Sequence, residues 1–162
     1  MSILFVRWLL LSMVLIWPIA ALGQLPAFAD YRVEEHYKGK TAPLILTGVD
    51  QTARAKLKAA ARQKPNFAGH YIIVTWSCGV ECLSGAVVDA ITGKVYPLPV
   101  TVCCWNQEGR PPLTPIEFHR DSKLLVLKGG RNGKACDLGE HYYQFEKDRF
   151  DLIKTTSAQQ CP

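Results

Sequence analysis

The apolar and polar positions of residues 66–96 predict two strands joined by a short loop. Residues 70–76 read H-Y-I-I-V-T-W. Because successive side chains of a strand point to opposite faces, this run places apolar groups on both faces, as in a strand covered on two sides. We therefore expect a central strand, with His70 as a hydrogen-bonded core histidine on one of its faces. A second short, β-branched run follows at 85–89.

Turn signals and further strand-like runs predict a mainly antiparallel sheet. Residues 89–94 read D-A-I-T-G-K, a hairpin turn in which Gly93 takes the positive φ angle. Pro97 and Pro99 lack an amide donor, so the return strand should end early or lie at an edge. Strand-like runs also occur at 30–40, 94–96, 116–119, 123–127, 140–146 and 149–153. The long segment 100–115 reads as a loop.

A single helical pattern precedes the central strand. Asp50 is a suitable N-cap for a helix over residues 51–64, and Pro65 ends it. The core stripe of this helix is Ala53, Leu57, Ala60 and Ala61. The opposite side is basic and reads as a solvated face rather than a contact with an anionic surface. We expect an α+β fold: a mainly antiparallel sheet of about six strands with one packed helix, stapled by disulfides.

The N-terminal segment has the layout of a secretory signal peptide. One basic residue precedes an apolar run at 8–17, and small residues suit cleavage after Gly23. An uncleaved anchor is the alternative, because residues 3–22 are nearly long enough to span a membrane. We predict a signal peptide over 1–23 and one exported domain over 24–162, periplasmic or secreted, with membrane contact only if the segment is not cleaved.

Export changes how the cysteines are interpreted. All six follow the signal segment, at Cys78, Cys82, Cys103, Cys104, Cys136 and Cys161, and an even number in a small exported domain implies disulfides. One turn of chain would bring Cys78 and Cys82 within disulfide range. Redox-active pairs have two intervening residues rather than three, so a structural clamp is favoured. Cys103 and Cys104 are adjacent, and each should find a distant partner among Cys136 and Cys161.

Other chemistry receives weaker support from the sequence. Cys103, Cys104, Cys136 and His141 could form a soft metal site, and Cys104 with His119 could form a nucleophile pair. His70 with Glu81 or Asp89 could transfer protons. Motifs for hydrolases, metalloproteases, phosphate loops and nucleic-acid binding are absent. Removing residues 1–23 lowers the formal net charge from +5 to +4, too little to indicate nucleic acid, and no cofactor is expected.

The central stretch also resembles a known group of proteins. It contains F-A-G-H-Y at 67–71, W-x-C-G-x-x-C at 76–82, G-A-V-V-D at 85–89 and T-G-K-V-Y at 92–96. This pattern is similar to that of a group of small exported bacterial proteins of uncharacterised function. The resemblance extends to residues 37–40, the basic helix and the 121–125 hairpin. It implies location and fold, and it assigns no catalytic residue.

From these features we expect a non-catalytic binding or inhibitor-like module of the cell envelope, whose partner is an envelope protein or glycan. The binding surface should combine the 77–84 loop with the 100–115 loop, because loops held by a scaffold commonly carry recognition groups. Its candidate contact residues are Glu81, Trp105, Asn106 and Arg110. The alternatives are a small hydrolase or thiol-redox enzyme using His70 or a cysteine pair, and a metal-binding module.

Overall fold

Within the described residues the chain forms one α-helix, a short 3-10 helix at Phe28–Tyr31 and eight strands, most of them in segments whose apolar spacing predicts regular structure. The computed structural model describes residues 23–106, 113–135 and 137–157. The helix α1 is Gln51–Ala60. The strands are β1 Tyr71–Gly79, β2 Cys82–Asp89, β3 Val95–Pro97, β4 Val102–Cys103, β5 Ile116–Phe118, β6 Leu124–Arg131, β7 Gly139–Glu146 and β8 Arg149–Ser157. The predicted α+β class is confirmed, with eight strands rather than about six.

The strands form one antiparallel sheet in the order β1-β2-β4-β6-β7-β8. Strand β3 pairs with β2 and β5 pairs with β6, beside the main path. The extra strands are short ones: β4 lies inside the segment predicted as a loop, and its two residues join β2 to β6. Residues 30–40, predicted as a possible first strand, contribute only an isolated bridge from Arg32 to Ser122.

The inner face of the sheet is an aromatic core around which the sheet curls. Tyr71 on β1 meets Phe145 on β7 edge to face, with ring centroids 4.8 Å apart. Three strands separate β1 from β7 in the sheet order, which in a flat sheet would hold them roughly 19 Å apart at about 4.8 Å per strand. The sheet therefore bends until its two ends share one core, in which Phe67 is fully buried.

The outer face of β1 and β2 is covered by α1. Ala53, Leu57 and Ala60 are buried against a second apolar cluster that includes Ile72 and Val88. Asp50 caps the helix as predicted, accepting a hydrogen bond from the Ala53 amide at 2.9 Å. Ile73 and Ile72 are buried in different clusters on the two faces of β1, as its two-sided apolar pattern predicts. The prediction of a central strand is wrong, however, because β1 lies at the end of the strand order and pairs only with β2 among the described strands.

The helix ends four residues earlier than predicted. Arg62 and Gln63 donate to carbonyls three residues back, a tightened final turn. Pro65 disfavours the helical conformation for the residue before it, so Lys64 leaves the helix. Ala61 becomes the C-cap, is half-buried, and does not belong to the core stripe.

Several predictions fall on residues that the structure does not describe. These are the signal peptide up to residue 22, Arg110, Cys136 and Cys161. Among the residues that are described, no helix has the length and apolar character needed to cross a membrane.

Candidate functional site

The predicted 77–84 loop and the start of the 100–115 segment lie side by side. In the β2–β4 ladder Cys82 stands opposite Cys103, and Leu83 stands opposite Val102. Directly opposed residues in an antiparallel pair have Cα atoms about 4.5–5.5 Å apart. We call residues 77–84 together with 102–106 the cysteine edge.

The first part of the cysteine edge is a covalently closed hairpin tip. Cys78 and Cys82 form a disulfide with their Cα atoms 5.0 Å apart, so the predicted clamp is confirmed. Gly79 has a φ of 151° and Glu81 a φ of 44°, and the Ser77 hydroxyl donates to the Gly79 carbonyl at 2.9 Å. The turn is therefore fixed both by a covalent bond and by local hydrogen bonding.

Val80 is the residue that this turn presents. Its side chain is 99% exposed, more than any other large apolar residue described. The candidate residue Glu81, beside it, is half-buried. Sequence reasoning selected the charged residue and missed the apolar one. The sequence could have indicated Val80 as an exposed residue, because it is the one apolar side chain between the two cysteines of the clamp.

The second part of the cysteine edge combines structural and exposed residues. Trp105 is half-buried and packs against the aromatic core, whereas Asn106 is exposed. The fourth candidate, Arg110, lies outside the described residues. The structure thus places Glu81, Trp105 and Asn106 in the two segments that meet at the Cys82–Cys103 end of the β2–β4 ladder, and gives Trp105 a packing role as well.

The Cys103 thiol at the cysteine edge is shielded rather than reactive. Within the described residues, Cys103 and Cys104 are free, the former buried and the latter half-buried. Burial, together with the neighbouring Cys104 side chain, raises the pKa of Cys103 to about 11. Because the thiolate is the nucleophilic form, Cys103 is a poor nucleophile at neutral pH. The partners predicted for these two cysteines, Cys136 and Cys161, lie outside the described residues.

The histidines proposed as thiol partners have other contacts. The His119 ring stacks on Phe28 with centroids 3.9 Å apart. His141 is fully buried: its Nε2 lies 3.0 Å from the Gly129 carbonyl and its Nδ1 lies 3.2 Å from the Thr155 hydroxyl. A carbonyl only accepts, so Nε2 donates and Nδ1 accepts. Both nitrogens are occupied, and burial lowers the pKa of His141.

The described part of the chain offers no cluster of three or more histidine, cysteine, aspartate or glutamate side chains that could hold a metal ion. With both ring nitrogens engaged, His141 has no lone pair to give a metal. Cys136, the third thiol of the soft metal site considered from the sequence, lies outside the described residues.

His70 is not the core histidine that the sequence predicts. Its side chain is 33% exposed, and Nε2 lies 3.9 Å from Asp89 Oδ1. It precedes β1, at the end of the strand, where the covering layers no longer close over it. The ring lies against Tyr71 and lines a cavity of about 290 Å³ with charged neighbours such as Lys123 and Glu146.

The pairing of His70 with Asp89 is weak, because Asp89 already has partners. Its carboxylate accepts from the amides of Ile91 at 2.8 Å and Thr92 at 3.3 Å, and from the Thr92 hydroxyl at 2.6 Å. No serine, threonine or cysteine appears among the described residues that line the cavity. His70 therefore has neither a closely bonded orienting acid nor an adjacent serine, threonine or cysteine nucleophile among the described residues.

Comparisons of the chain with models of protein families, with curated proteins and with solved structures found no match.

Proposed function

We propose that the protein is an exported binding module of the cell envelope, and that the cysteine edge is its contact surface. The partner is an envelope protein or glycan, bound in the periplasm or outside the cell. The N-terminal signal pattern and the resemblance of residues 66–96 to small exported bacterial proteins support this location. A disulfide between Cys78 and Cys82 also fits an oxidising compartment.

One observation carries the binding proposal: a fully exposed valine stands at the tip of a turn closed by a disulfide. An exposed aliphatic side chain gains free energy only when a partner covers it. A turn that is already rigid loses little conformational entropy on binding. Val80 is therefore the proposed anchor, with Glu81 and Asn106 as polar groups around it.

The chemistry of the nearby groups favours binding over catalysis. The Cys103 thiol is held in its protonated form by burial, and the ring nitrogens of His141 are engaged. His70 has no serine, threonine or cysteine beside it among the described residues of its cavity. Cys103, His141 and His70 therefore do not supply the reactive thiol, free metal ligand or serine-type nucleophile with which a thiol-redox enzyme, a metal module or a hydrolase would act.

The contact surface can be tested with a photoreactive amino acid at position 80. A matched control carries the same group at position 91, since Ile91 is also an exposed aliphatic residue in a hairpin turn. We expect covalent adducts in the envelope from position 80 and none from position 91. A protein partner gives a discrete band, whereas a glycan gives a ladder. Equal adducts at the two positions, or none at 80, contradict the proposal.

Export is tested separately, by intact mass. Protein recovered from the periplasm should lack residues 1–23 and should resist alkylation at Cys78 and Cys82 until it is reduced. A full-length mass in the membrane fraction would instead show an uncleaved anchor. Labelling of either cysteine in native, unreduced protein would contradict the clamp.

A further inference from the structure

We propose a second binding site, for a phosphate group carried by an ester, in a cavity of about 320 Å³ on another part of the surface. Three segments that are distant in sequence build it: the loop at 37–40, the chain just after α1, and the turn after β5. Its described lining is Tyr37, Lys38, Gly39, Lys64, Pro65 and Arg120. Nothing in the proposed contact at the cysteine edge requires this site.

The first argument is unbalanced charge. Lys38, Lys64 and Arg120 all line the cavity, and no carboxylate is present among the described lining residues. None of the three forms an ion pair within 4.0 Å with a described acidic group. Other cations of the domain do, as Lys128 does with Glu117 at 2.8 Å. Three cations around one hollow attract an anion.

The second argument is that backbone hydrogen bonds of the fold position the segments around this cavity, so its shape does not depend on side-chain positions alone. Gly69 joins two of the segments: its carbonyl accepts from the Tyr37 amide at 3.1 Å, and its amide donates to the Arg120 carbonyl at 2.7 Å. Its φ is +81°, and a Cβ there would lie 2.3 Å from the Glu35 carbonyl oxygen. Only glycine allows this close approach, which fixes Tyr37 and Arg120 relative to each other.

The loop that carries Lys38 is also pinned. The Tyr37 hydroxyl donates to the Lys40 carbonyl at 3.0 Å, and a Cβ at Gly39 would lie 2.3 Å from that hydroxyl oxygen. The tyrosine ring therefore lies directly over Gly39. Pro65, which is buried, fixes the chain beside Lys64. Two of the three cations thus project from segments whose backbones are already positioned.

These features select the ligand chemistry. A phosphate monoester carries close to two negative charges at neutral pH and offers three terminal oxygens, which suits cations approaching from three segments. Arginine can bind two of the oxygens as a fork, while each lysine acts as a point charge. A cavity of about 320 Å³ lies at the lower end of the volumes typical of ligand sites, so it also has room for part of the alcohol.

The test is titration with glycerol 3-phosphate, and with acetate as a monovalent comparison. The site variant is Lys38→Ala/Lys64→Ala/Arg120→Ala, and the control Lys56→Ala/Lys58→Ala/Lys94→Ala removes the same charge from exposed positions outside the lining. We expect saturable binding that is roughly tenfold weaker in the site variant, from about twofold to fivefold for each exposed pair, and less than about twofold weaker in the control. Acetate should bind much more weakly.

Equal weakening in both triple variants would overturn the site, as would the absence of saturable binding or equal binding of acetate. Vesicles containing phosphatidic acid, a lipid that carries a phosphate monoester, distinguish the source of the phosphate. Vesicle binding that is lost only in the site variant identifies a lipid headgroup, and binding of the soluble ester alone identifies a free ligand. If the triple variant does not fold, Lys64→Gln serves instead. It should weaken binding by about twofold to fivefold, and unchanged affinity would overturn the proposal.

Discussion

Two neighbouring hairpin turns of this protein are fixed in opposite ways. The turn between β1 and β2 is exposed, and a disulfide between Cys78 and Cys82 closes it. The turn between β2 and β3 is held by the buried carboxylate of Asp89, which accepts three hydrogen bonds within the turn. Residues 42–45, which we call the strap, also hold this turn, because the amides of Ala42 and Ile45 donate to the Ala90 and Gly93 carbonyls.

The difference shows how surroundings decide the means of fixing a turn. At the β2–β3 turn Asp89, Ala90 and Gly93 are buried because residues 42–45 pack on the backbone there. The hydrogen bonds of the Asp89 carboxylate and of residues 42–45 are therefore partly shielded from water, and leaving them unmade is costly. At the β1–β2 turn nothing among the described residues covers Val80. Hydrogen bonds exposed to water add little there, and a covalent bond holds the turn whatever its surroundings.

The largest effect on stability should come from Gly93→Ala. Gly93 has a φ of +76°, and a Cβ there would lie 2.0 Å from the Pro43 carbonyl oxygen of the strap. We expect a loss of about 3 kcal/mol or more in the free energy of unfolding, from the conformation and the overlap together, measured by urea denaturation.

Gly133 provides the matched control, with the same φ of +76° and nothing within 4 Å of the added Cβ. Gly133→Ala should cost only the conformational part, about 1–2 kcal/mol. Equal losses in the two variants would show that the strap does not press on the β2–β3 turn.

The next largest effect should come from Asp89→Ala. The change leaves two amides and a threonine hydroxyl without their acceptor in a partly buried turn. We expect a loss of about 2–3 kcal/mol, with Asp89→Asn losing less because its amide oxygen still accepts. A loss under about 0.5 kcal/mol for alanine would mean that the strap alone fixes this turn.

Removing the clamp should have a smaller effect. Cys78→Ser/Cys82→Ser opens a loop of only a few residues, so the unfolded state gains little entropy and the expected loss is at most about 2 kcal/mol. The hairpin register from Tyr71 opposite Asp89 to Ser77 opposite Leu83 should survive, as amide hydrogen exchange would show. Loss of protection throughout β1 would mean that the disulfide holds the strands as well as the tip.

The smallest effect on stability should come from Val80→Ser. A side chain that is 99% exposed contributes almost nothing to folding, so the free energy of unfolding should change by less than about 0.5 kcal/mol. The same variant should abolish capture of the envelope partner, whereas Ile91→Ser should not. A destabilised Val80→Ser protein would show that the tip packs on the body.

Much of the fold was predictable from local pattern. The helix cap at Asp50, the positive φ of Gly93 and the two-sided burial of β1 all follow from properties of the residues themselves. The predictions that were wrong concern ends and edges: Ala61 lies outside the helix, and β4 lies within a predicted loop. Two residues carry too little periodicity to signal a strand, and β4 forms because β2 and β6 pair with it from both sides.

The candidate site could be predicted only in outline. Cysteine spacing predicted the Cys78–Cys82 clamp, because that contact is local. It could not show that Cys82 faces Cys103, that Trp105 packs on the core, or that His70 is partly exposed. Each of these depends on strand order and on the curl of the sheet.

By itself, therefore, the sequence determined most of the segments that become strand, helix and turn, since those outcomes depend on side-chain periodicity, glycine, proline and capping over a few residues. Only the tertiary structure decided that Lys38, Lys64 and Arg120 share one hollow, and that β1 and β7 share one core. The physical reason is that burial and electrostatic potential are sums over neighbours in space. Gly69 brings Tyr37 and Arg120 together through two backbone hydrogen bonds. A single glycine does not change the hydrophobic periodicity of the sequence, so this contact could not be predicted from it.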